Sequence, residues 1–208
     1  MKTHQQFLGK LVLSPKRIEA KANIPHDKYF KKIVIFFFSF CILLSICYSQ
    51  TPSSNQIEEL GSKLSVMNAS ANPTINIEAK SLESLVYDLK STMYLKSGQF
   101  TDTAATHPIR VNTDAQSFSL LQYPTLLYNN VELICIKIMT PEDLQKVLSV
   151  SDLSWFNKLK YICFLADFKI CSEQTTHVVD CEKNKIANMI QGTLNPGLEV
   201  IYVSGNIE

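Results

Sequence analysis

The sequence predicts an α/β fold: a small layered domain with a mainly parallel sheet built from strand-helix units, preceded by an N-terminal apolar export segment. Three observations support this prediction. Residues 131–139, 159–168 and 198–203 are apolar runs of strand length, and the second is apolar enough to be buried on both faces. Segments with helical spacing and capping residues alternate with these runs, as in parallel sheets. Residues 33–48 are sixteen uncharged, mostly apolar residues behind a basic leader.

Residues 33–49 are predicted to form the apolar core and cleavage region of a signal peptide. A helix of sixteen residues spans roughly 24 Å, which is shorter than the roughly 30 Å hydrocarbon core of a bilayer. Small residues at Cys47 and Ser49 suit the signal peptidase, so cleavage is expected between Ser49 and Gln50. The mature chain would then be periplasmic, on the cell surface or secreted.

Two other interpretations of the apolar run stay open. Without cleavage, residues 33–48 would remain as a signal anchor and make the chain a single-pass membrane protein, with the basic residues inside. Residues 44–47 also resemble a bacterial lipobox in which Cys47 would be lipidated. Ile46 departs from the small residue that this motif requires before its cysteine.

The leader, residues 1–32, carries eight Lys or Arg residues and two acidic residues, a net charge of +6. A basic block directly before an apolar run is typical of the cytoplasmic end of an export signal, and no fold is expected there. The rest of the chain carries twelve basic and seventeen acidic residues, a net charge of −5. That balance excludes a basic nucleic-acid footprint, so the expected partner is a protein, a glycan or an envelope component.

The mature chain has the size of one domain. Residues 50–56 form a polar linker, and residues 57–208 are predicted to fold as a single α/β domain. Apolar spacing at Ile57, Leu60 and Leu64 predicts a helix near the start of this domain, over about residues 55–67.

Two junctions further along the chain look alike. Alternation predicts a strand over residues 74–79, followed by a helix capped by Ser81. Later, residues 131–139 lead into Thr140 and Pro141, where Thr140 and Asp143 can form a capping box that opens another helix. A duplicated strand-helix unit explains the likeness, and so does the common use of the same caps.

Residues 97–130 predict less regular structure. Threonines and Gly98 indicate a loop, and residues 108–112 predict a short edge strand. A loop of this length in a compact domain is often functional, so a binding surface is expected here. The strand predicted over residues 198–203, following a weak helix at 182–191, offers a second candidate as an exposed sheet edge.

Five apolar residues in the C-terminal half have a familiar spacing: Leu153, Phe156, Leu159, Ile162 and Phe164. The stretch resembles one turn of a leucine-rich repeat. Solenoids of that kind need at least three stacked units to bury a continuous core. No neighbouring period in the sequence repeats the spacing, so the resemblance assigns no family.

The four cysteines after the apolar run divide into two pairs. Cys135 and Cys163 lie in apolar strands and are expected to be buried. Cys171 and Cys181 lie in a polar stretch and are predicted to form a disulfide after export, or to remain as two exposed thiols. A metal site formed by Cys171, His177 and Cys181, with Cys163 or Asp180, is a weaker alternative because no Cys-x-x-Cys spacing supports it. No metal or cofactor is therefore predicted.

No catalytic motif is present in the sequence, and no catalytic residue is assigned. His107 and His177 are the histidines after the apolar run, and both are expected to be loop residues. The expected function is a non-enzymatic binding or interaction module of the cell envelope. The alternative is a small exported hydrolase or thiol-dependent enzyme, which would need one of these histidines beside a nucleophile or an acid in a cleft.

Overall fold

Nine strands form two sheets in the computed structural model, which describes residue 52 and residues 56–102, 106–172 and 177–205. The strands are β1 (Ile57–Glu59), β2 (Thr92–Lys96), β3 (Gln99–Asp102), β4 (Arg110–Asp114), β5 (Leu133–Ile138), β6 (Leu148–Ser149), β7 (Tyr161–Ala166), β8 (Ile190–Gln191) and β9 (Glu199–Ser204). Seven of them form one sheet in the order β1-β9-β7-β5-β4-β2-β3, and β6 pairs with β8. All pairs are parallel except β2 with β3. The predicted α/β fold with a mainly parallel sheet is confirmed.

Four α-helices accompany the sheet in the described ranges: α1 (Leu60–Asn68), α2 (Pro73–Tyr87), α3 (Phe118–Leu121) and α4 (Val178–Asn188). Short 3₁₀ helices span Ala115–Ser117, Leu126–Asn130, Pro141–Gln145 and Val150–Leu153. None of the described helices is long and apolar enough to cross a membrane. The apolar run at 33–48 and the cleavage site at Ser49 and Gln50 lie outside the described residues.

The path of the chain gives the sheet two different faces. From β1, which lies beside β9, helices α1 and α2 carry the chain to β2 near the opposite edge. Strands β4, β5, β7 and β9 then follow in chain order, each parallel to the one before. Apolar residues of α1 and α2 pack on one side of the sheet, here called the helix face. Apolar residues of the segments that connect β4 to β5, β5 to β7 and β7 to β9 pack on the other side, here called the crossover face.

The crossover face contains the larger apolar core. Tyr128 and Phe156, which lie between strands, stack with ring centroids 4.2 Å apart, and the Tyr128 hydroxyl donates to the Leu120 carbonyl at 2.9 Å. Phe164 of β7 is fully buried in the same cluster. The cluster as a whole includes residues of every strand of the seven-stranded sheet except β3 and buries more apolar residues than the cluster on the helix face, so it supplies most of the hydrophobic stabilisation.

Successive strands joined by crossovers on one face are arranged as in a solenoid, although the segments between them differ in length. The residues that gave the leucine-rich spacing pack in the crossover core, where Phe156, Ile162 and Phe164 are buried. Their burial is accounted for by the parallel sheet, and the resemblance still assigns no family.

The prediction of a strand at residues 74–79 is wrong, because these residues belong to α2. Pro73 occupies the first turn, where its missing N–H costs nothing, and the Asn72 side chain accepts a hydrogen bond from the Thr74 N–H at 3.0 Å. Ser81 is an exposed residue inside this helix and not its cap. Without a strand before Ser81, the proposed duplication of a strand-helix unit fails.

The capping box predicted at Thr140 forms. The Asp143 carboxylate accepts hydrogen bonds from the N–H groups of Met139 and Thr140 at 2.9 and 3.1 Å. The helix that follows is a single 3₁₀ segment, Pro141–Gln145, because the chain soon enters β6. The cap was therefore predictable, whereas the length of the helix depends on tertiary pairing.

The three apolar runs do form strands, as β5, β7 and β9. The prediction that residues 198–203 are an exposed edge is wrong, because β9 pairs with β1 on one side and β7 on the other. Residues 108–112 are likewise not an edge, since β4 pairs with β2 and β5. The helix expected at 182–191 is α4, and the helix expected at 55–67 is divided between β1 and α1.

Candidate functional site

A cleft of about 360 Å³ opens on the helix face, near the carboxyl ends of β2, β4, β5 and β7. In open sheets with parallel strands, this end is where ligands commonly bind. The volume falls within the range of pockets that hold small organic ligands, roughly 300 to 1,000 Å³. Its lining comprises Tyr94, Leu95, Lys96, Thr101, Asn112, Thr113, Asp114, Cys135, Lys137, Met139 and Leu165.

The register of the parallel strands assembles the floor of the cleft. Residues directly opposite each other in neighbouring strands point to the same face, so they form rows across the sheet. One row contains Tyr94, Asn112, Cys135 and Cys163. The next row towards the carboxyl ends contains Asp114, Lys137 and Leu165. Residues that are distant in sequence thus become neighbours in the cleft.

The β2–β3 hairpin forms one wall of the cleft and is held by Asp114. Ser97 and Gly98 have φ angles of 53° and 73°, as a two-residue hairpin turn with two left-handed positions requires. The Ser97 N–H donates to Asp114 Oδ2 at 2.8 Å, and the Gly98 N–H donates to the buried Ser117 Oγ at 3.0 Å. Ser117 Oγ donates to Asp114 Oδ1 at 2.6 Å. Both carboxylate oxygens of Asp114 are therefore engaged within the protein.

The remaining polar groups of the lining are less fully paired. Lys137 forms an ion pair with Asp167 at 2.8 Å, but both side chains are about half exposed, so the pair contributes little stability. No acidic side chain of the described residues lies within ion-pair distance of Lys96. The Asn112 Oδ1 atom is buried and accepts no hydrogen bond from any group in the described ranges.

A pair of thiols lies at the cleft floor, and one of the two lines the cleft. Cys135 and Cys163 lie opposite each other on β5 and β7, and both are free and buried, as the sequence predicted. Cys135 lines the cleft, and Cys163 lies beside it without solvent exposure. The hydrogen bond to Cys135, together with burial, raises the pKa of the Cys163 thiol well above its usual value. Cys163 is therefore held as a neutral thiol and is a poor nucleophile at neutral pH.

Neither histidine after the apolar run contributes to the cleft. His107 is exposed, and His177 lies before the first residue of α4 with its side chain 78% exposed. His177 Nδ1 and Asp180 Oδ2 are 3.9 Å apart, and the Asp180 side chain is also exposed. In the described part of the chain, neither imidazole forms a hydrogen bond with a Cys, Ser or Thr side chain.

The structure contains the predicted disulfide between Cys171 and Cys181, whose Cα atoms are 6.3 Å apart. A disulfide leaves neither sulfur available as a thiolate ligand, so the alternative metal site with His177 loses two of its members. No group of three or more His, Cys, Asp or Glu side chains in the ranges described could hold a metal ion.

A second depression, of about 330 Å³, lies beside β1 and β9. Its cation, Lys63, is neutralised by Glu58 at 2.6 Å and Glu199 at 3.1 Å. The lysine of this depression is therefore already paired with acids, unlike Lys96 of the cleft.

The region 97–130, where a binding surface is expected, contributes Thr101, Asn112, Thr113 and Asp114 to the cleft. Sequence reasoning missed the contribution of the other strands. The one available signal was Lys137, a charged residue that interrupts an otherwise apolar strand. A buried strand tolerates such a residue only where its side chain reaches solvent at the end of the sheet.

No protein-family model, curated protein or solved structure matches this chain.

Proposed function

We propose that this chain is an exported, non-enzymatic binding module of the cell envelope and that the cleft on the helix face is its ligand site. The observation that carries the proposal is the cleft itself, which combines an apolar floor with polar groups that have no partner in the described protein. Specific small-molecule sites have this composition: an apolar pocket with a few polar groups that orient the ligand.

The alternative is an exported hydrolase or thiol-dependent enzyme, and Cys135 in the cleft floor is the observation that favours it. A catalytic cysteine needs a base that is held by a third group. His107 and His177 are exposed and do not line the cleft, so no imidazole base stands beside Cys135 in the lining. Binding therefore accounts better for this arrangement than catalysis.

The cleft assignment is tested by ligand screening with methionine methyl resonances as reporters. Met139 lines the cleft, whereas Met67 in α1 does not and serves as a remote reference. Small organic molecules, short peptides and oligosaccharides are added to the ¹³C-methyl-labelled protein. Ligands of the cleft should shift Met139 and leave Met67 in place.

Two threonine variants localise any binding that is found. Thr101→Trp places an indole at the mouth of the cleft and should abolish binding. Thr74→Trp changes an exposed threonine in the first turn of α2 and should leave binding intact. Ligands that bind equally well to both variants would move the site elsewhere and overturn the proposal. Substrate turnover that Cys135→Ala abolishes would instead support the enzyme.

Export is tested separately, by intact mass and N-terminal sequencing of the protein recovered from its native host. The basic leader and the apolar run at 33–48 support a cleaved product that begins at Gln50, and its partner would be a protein, a glycan or an envelope component. An uncut chain that retains residues 33–48 would instead indicate a single-pass membrane protein.

A further inference from the structure

We infer that the ligand of the cleft is an organic carboxylate with an apolar body and an N–H or O–H donor a few bonds from the carboxylate. This inference rests on the proposed binding function. It is carried by three features of the lining: the apolar floor, the cation without an acidic partner and the unpaired acceptor.

The apolar floor selects the body of the ligand. Cys135, Leu165 and Met139 come from neighbouring strands and present sulfur and hydrocarbon to the cleft. Met139 is 56% exposed, so a ligand that covers it removes apolar surface from water. A fully polar ligand such as a phosphate or a small sugar would leave this surface without a partner.

The charges around the cleft select an anion. Both oxygens of Asp114 already accept hydrogen bonds from the hairpin and Ser117, and Lys137 is paired with Asp167. Lys96 is the lysine of the lining that has no acidic partner among the described residues. A carboxylate would give Lys96 a charged partner, whereas Lys137 already has Asp167 and the Asp114 carboxylate is held by the hairpin and Ser117.

The amide of Asn112 adds a requirement for a donor. Its Oδ1 is buried without a partner within the described protein, and a rotation about the Cβ–Cγ bond of this cleft-lining side chain would present the oxygen to a ligand N–H or O–H. Asn112 pairs across the sheet with Tyr94, which lies two residues before Lys96 on β2. Neighbouring strands are about 4.8 Å apart, so the amide oxygen and the lysine side chain can contact groups that are separated by only a few bonds. An N-acylated amino acid and the carboxyl end of a peptide both contain this combination.

Three matched probes separate these requirements: N-acetyl-leucine, its neutral analogue N-acetyl-leucinamide, and 4-methylpentanoate, which retains the carboxylate and apolar body but lacks the N–H donor. Titrations follow the methyl resonances of Met139 and Met67. We expect N-acetyl-leucine to shift Met139 and to bind at least about fivefold more tightly than either analogue, which corresponds to about 1 kcal/mol.

Variants assign the selectivity to individual residues. Lys96→Ala should remove the preference for the acid over the amide, while Lys146→Ala, which changes an exposed lysine outside the cleft, should preserve it. Asn112→Leu should remove the preference for N-acetyl-leucine over 4-methylpentanoate. A peptide, N-acetyl-Gly-Ala-Leu, distinguishes the two sources, because tighter binding than N-acetyl-leucine indicates a peptide end and weaker binding indicates a free N-acyl amino acid.

The outcomes separate this inference from the proposed function. If the amide binds at Met139 as tightly as the acid, the cleft is a binding site but the requirement for a carboxylate is wrong. If none of the probes shifts Met139, the ligand class is wrong, and the broader screen decides whether the cleft binds another compound. If Lys96→Ala and the parent protein prefer N-acetyl-leucine to N-acetyl-leucinamide by the same factor, Lys96 does not bind the carboxylate and its assignment is wrong.

Discussion

The two faces of the sheet use the same strands for different purposes. On the crossover face, residues from the segments that connect β4 to β5, β5 to β7 and β7 to β9 pack into one large apolar cluster. On the helix face, the apolar cluster is smaller, and beyond it the strands present lysine, asparagine and aspartate to an open cleft. Successive side chains of a strand point to opposite faces of the sheet. The residues that stabilise the fold and the residues that line the cleft can therefore come from the same strands.

The difference follows from how the chain covers each face. Crossover segments on one side accompany the strands one by one, whereas α1 and α2 pack mainly against β1, β9 and β5 on the other. The guanidinium of Arg110, at the start of β4, donates to the Val86 carbonyl at 2.9 Å and holds the last turn of α2 there. The helix therefore ends beside the amino end of the strand, and the carboxyl end remains open.

The largest predicted effect compares neighbouring residues of β7 that point to opposite faces. Phe164 is fully buried in the crossover core, and Phe164→Ala should lower the free energy of unfolding by about 3 to 5 kcal/mol because it leaves a cavity. Leu165 is only partly buried at the edge of the cleft, so Leu165→Ala should cost about 1 kcal/mol. Urea unfolding measures both. Equal losses would contradict the assignment of the stabilising core to one face.

The disulfide adds a cross-link on the crossover side, where Cys171 packs in the large cluster. Replacing Cys171 and Cys181 together by Ser should lower the free energy of unfolding by about 2 to 3 kcal/mol, since a loop with a sequence separation of 10 is no longer closed in the unfolded chain. The matched control is Cys135→Ser, which removes one free thiol and no cross-link. An unchanged stability of the double variant would contradict the expected role of the bond.

The third prediction concerns alkaline pH. Burial on the crossover face raises the pKa of Tyr128 from 10.0 to about 12, so the folded state holds this proton more strongly than the unfolded chain. The resulting stability is complete below pH 10 and is lost as pH rises from 10 to 12, by about 2 kcal/mol. Tyr128→Phe lacks this ionisation, so the variant should lose less stability than the parent over the same interval. Denaturant titrations at pH 9 and pH 11.5 compare them, and parallel losses would contradict the shift.

The sequence predicted the crossover core better than the cleft, for a physical reason. Apolar runs and caps are local signals, so β5, β7, β9 and the Thr140 capping box could be recognised before the structure. Which strands lie side by side depends on the tertiary structure. The prediction of an edge strand at residues 198–203 was wrong because no local sequence pattern indicates the pairing of β9 with β1. The cleft combines residues of five strands, whose register brings Asn112 beside Cys135, and no local pattern specifies that contact.

Residues 74–79, where a strand was predicted and a helix forms, show how two local signals can compete. Ile75 and Ile77 alternate as in a strand, but the Asn72 cap and Pro73 start a helix. Ala79, Leu82 and Leu85 then become the buried positions of that helix. The capping residues decided the structure because they satisfy backbone N–H groups that a strand start would leave to other partners.

The smallest predicted effect has the opposite sign and concerns the cleft alone. Asn112→Leu should raise the free energy of unfolding by about 1 kcal/mol, because it replaces a buried acceptor that lacks a partner in the described protein with a hydrocarbon group. The same change should weaken binding of N-acetyl-leucine. A site that gains stability when it loses affinity is maintained for its ligand and not for the fold.

Asn76→Leu is the matched control for this trade-off. Asn76 also has a buried Oδ1 atom with no partner among the described groups, but its Nδ2 atom donates to the Ser70 carbonyl at 3.2 Å and it lies outside the cleft. Its replacement should therefore not raise stability and should leave binding of N-acetyl-leucine unchanged. Thermal unfolding and methyl titrations on both variants measure the two quantities. If Asn112→Leu lowers stability as Asn76→Leu does and leaves binding of N-acetyl-leucine unaltered, Asn112 stabilises the fold and does not bind the ligand. The helix face would then not differ from the crossover face in function.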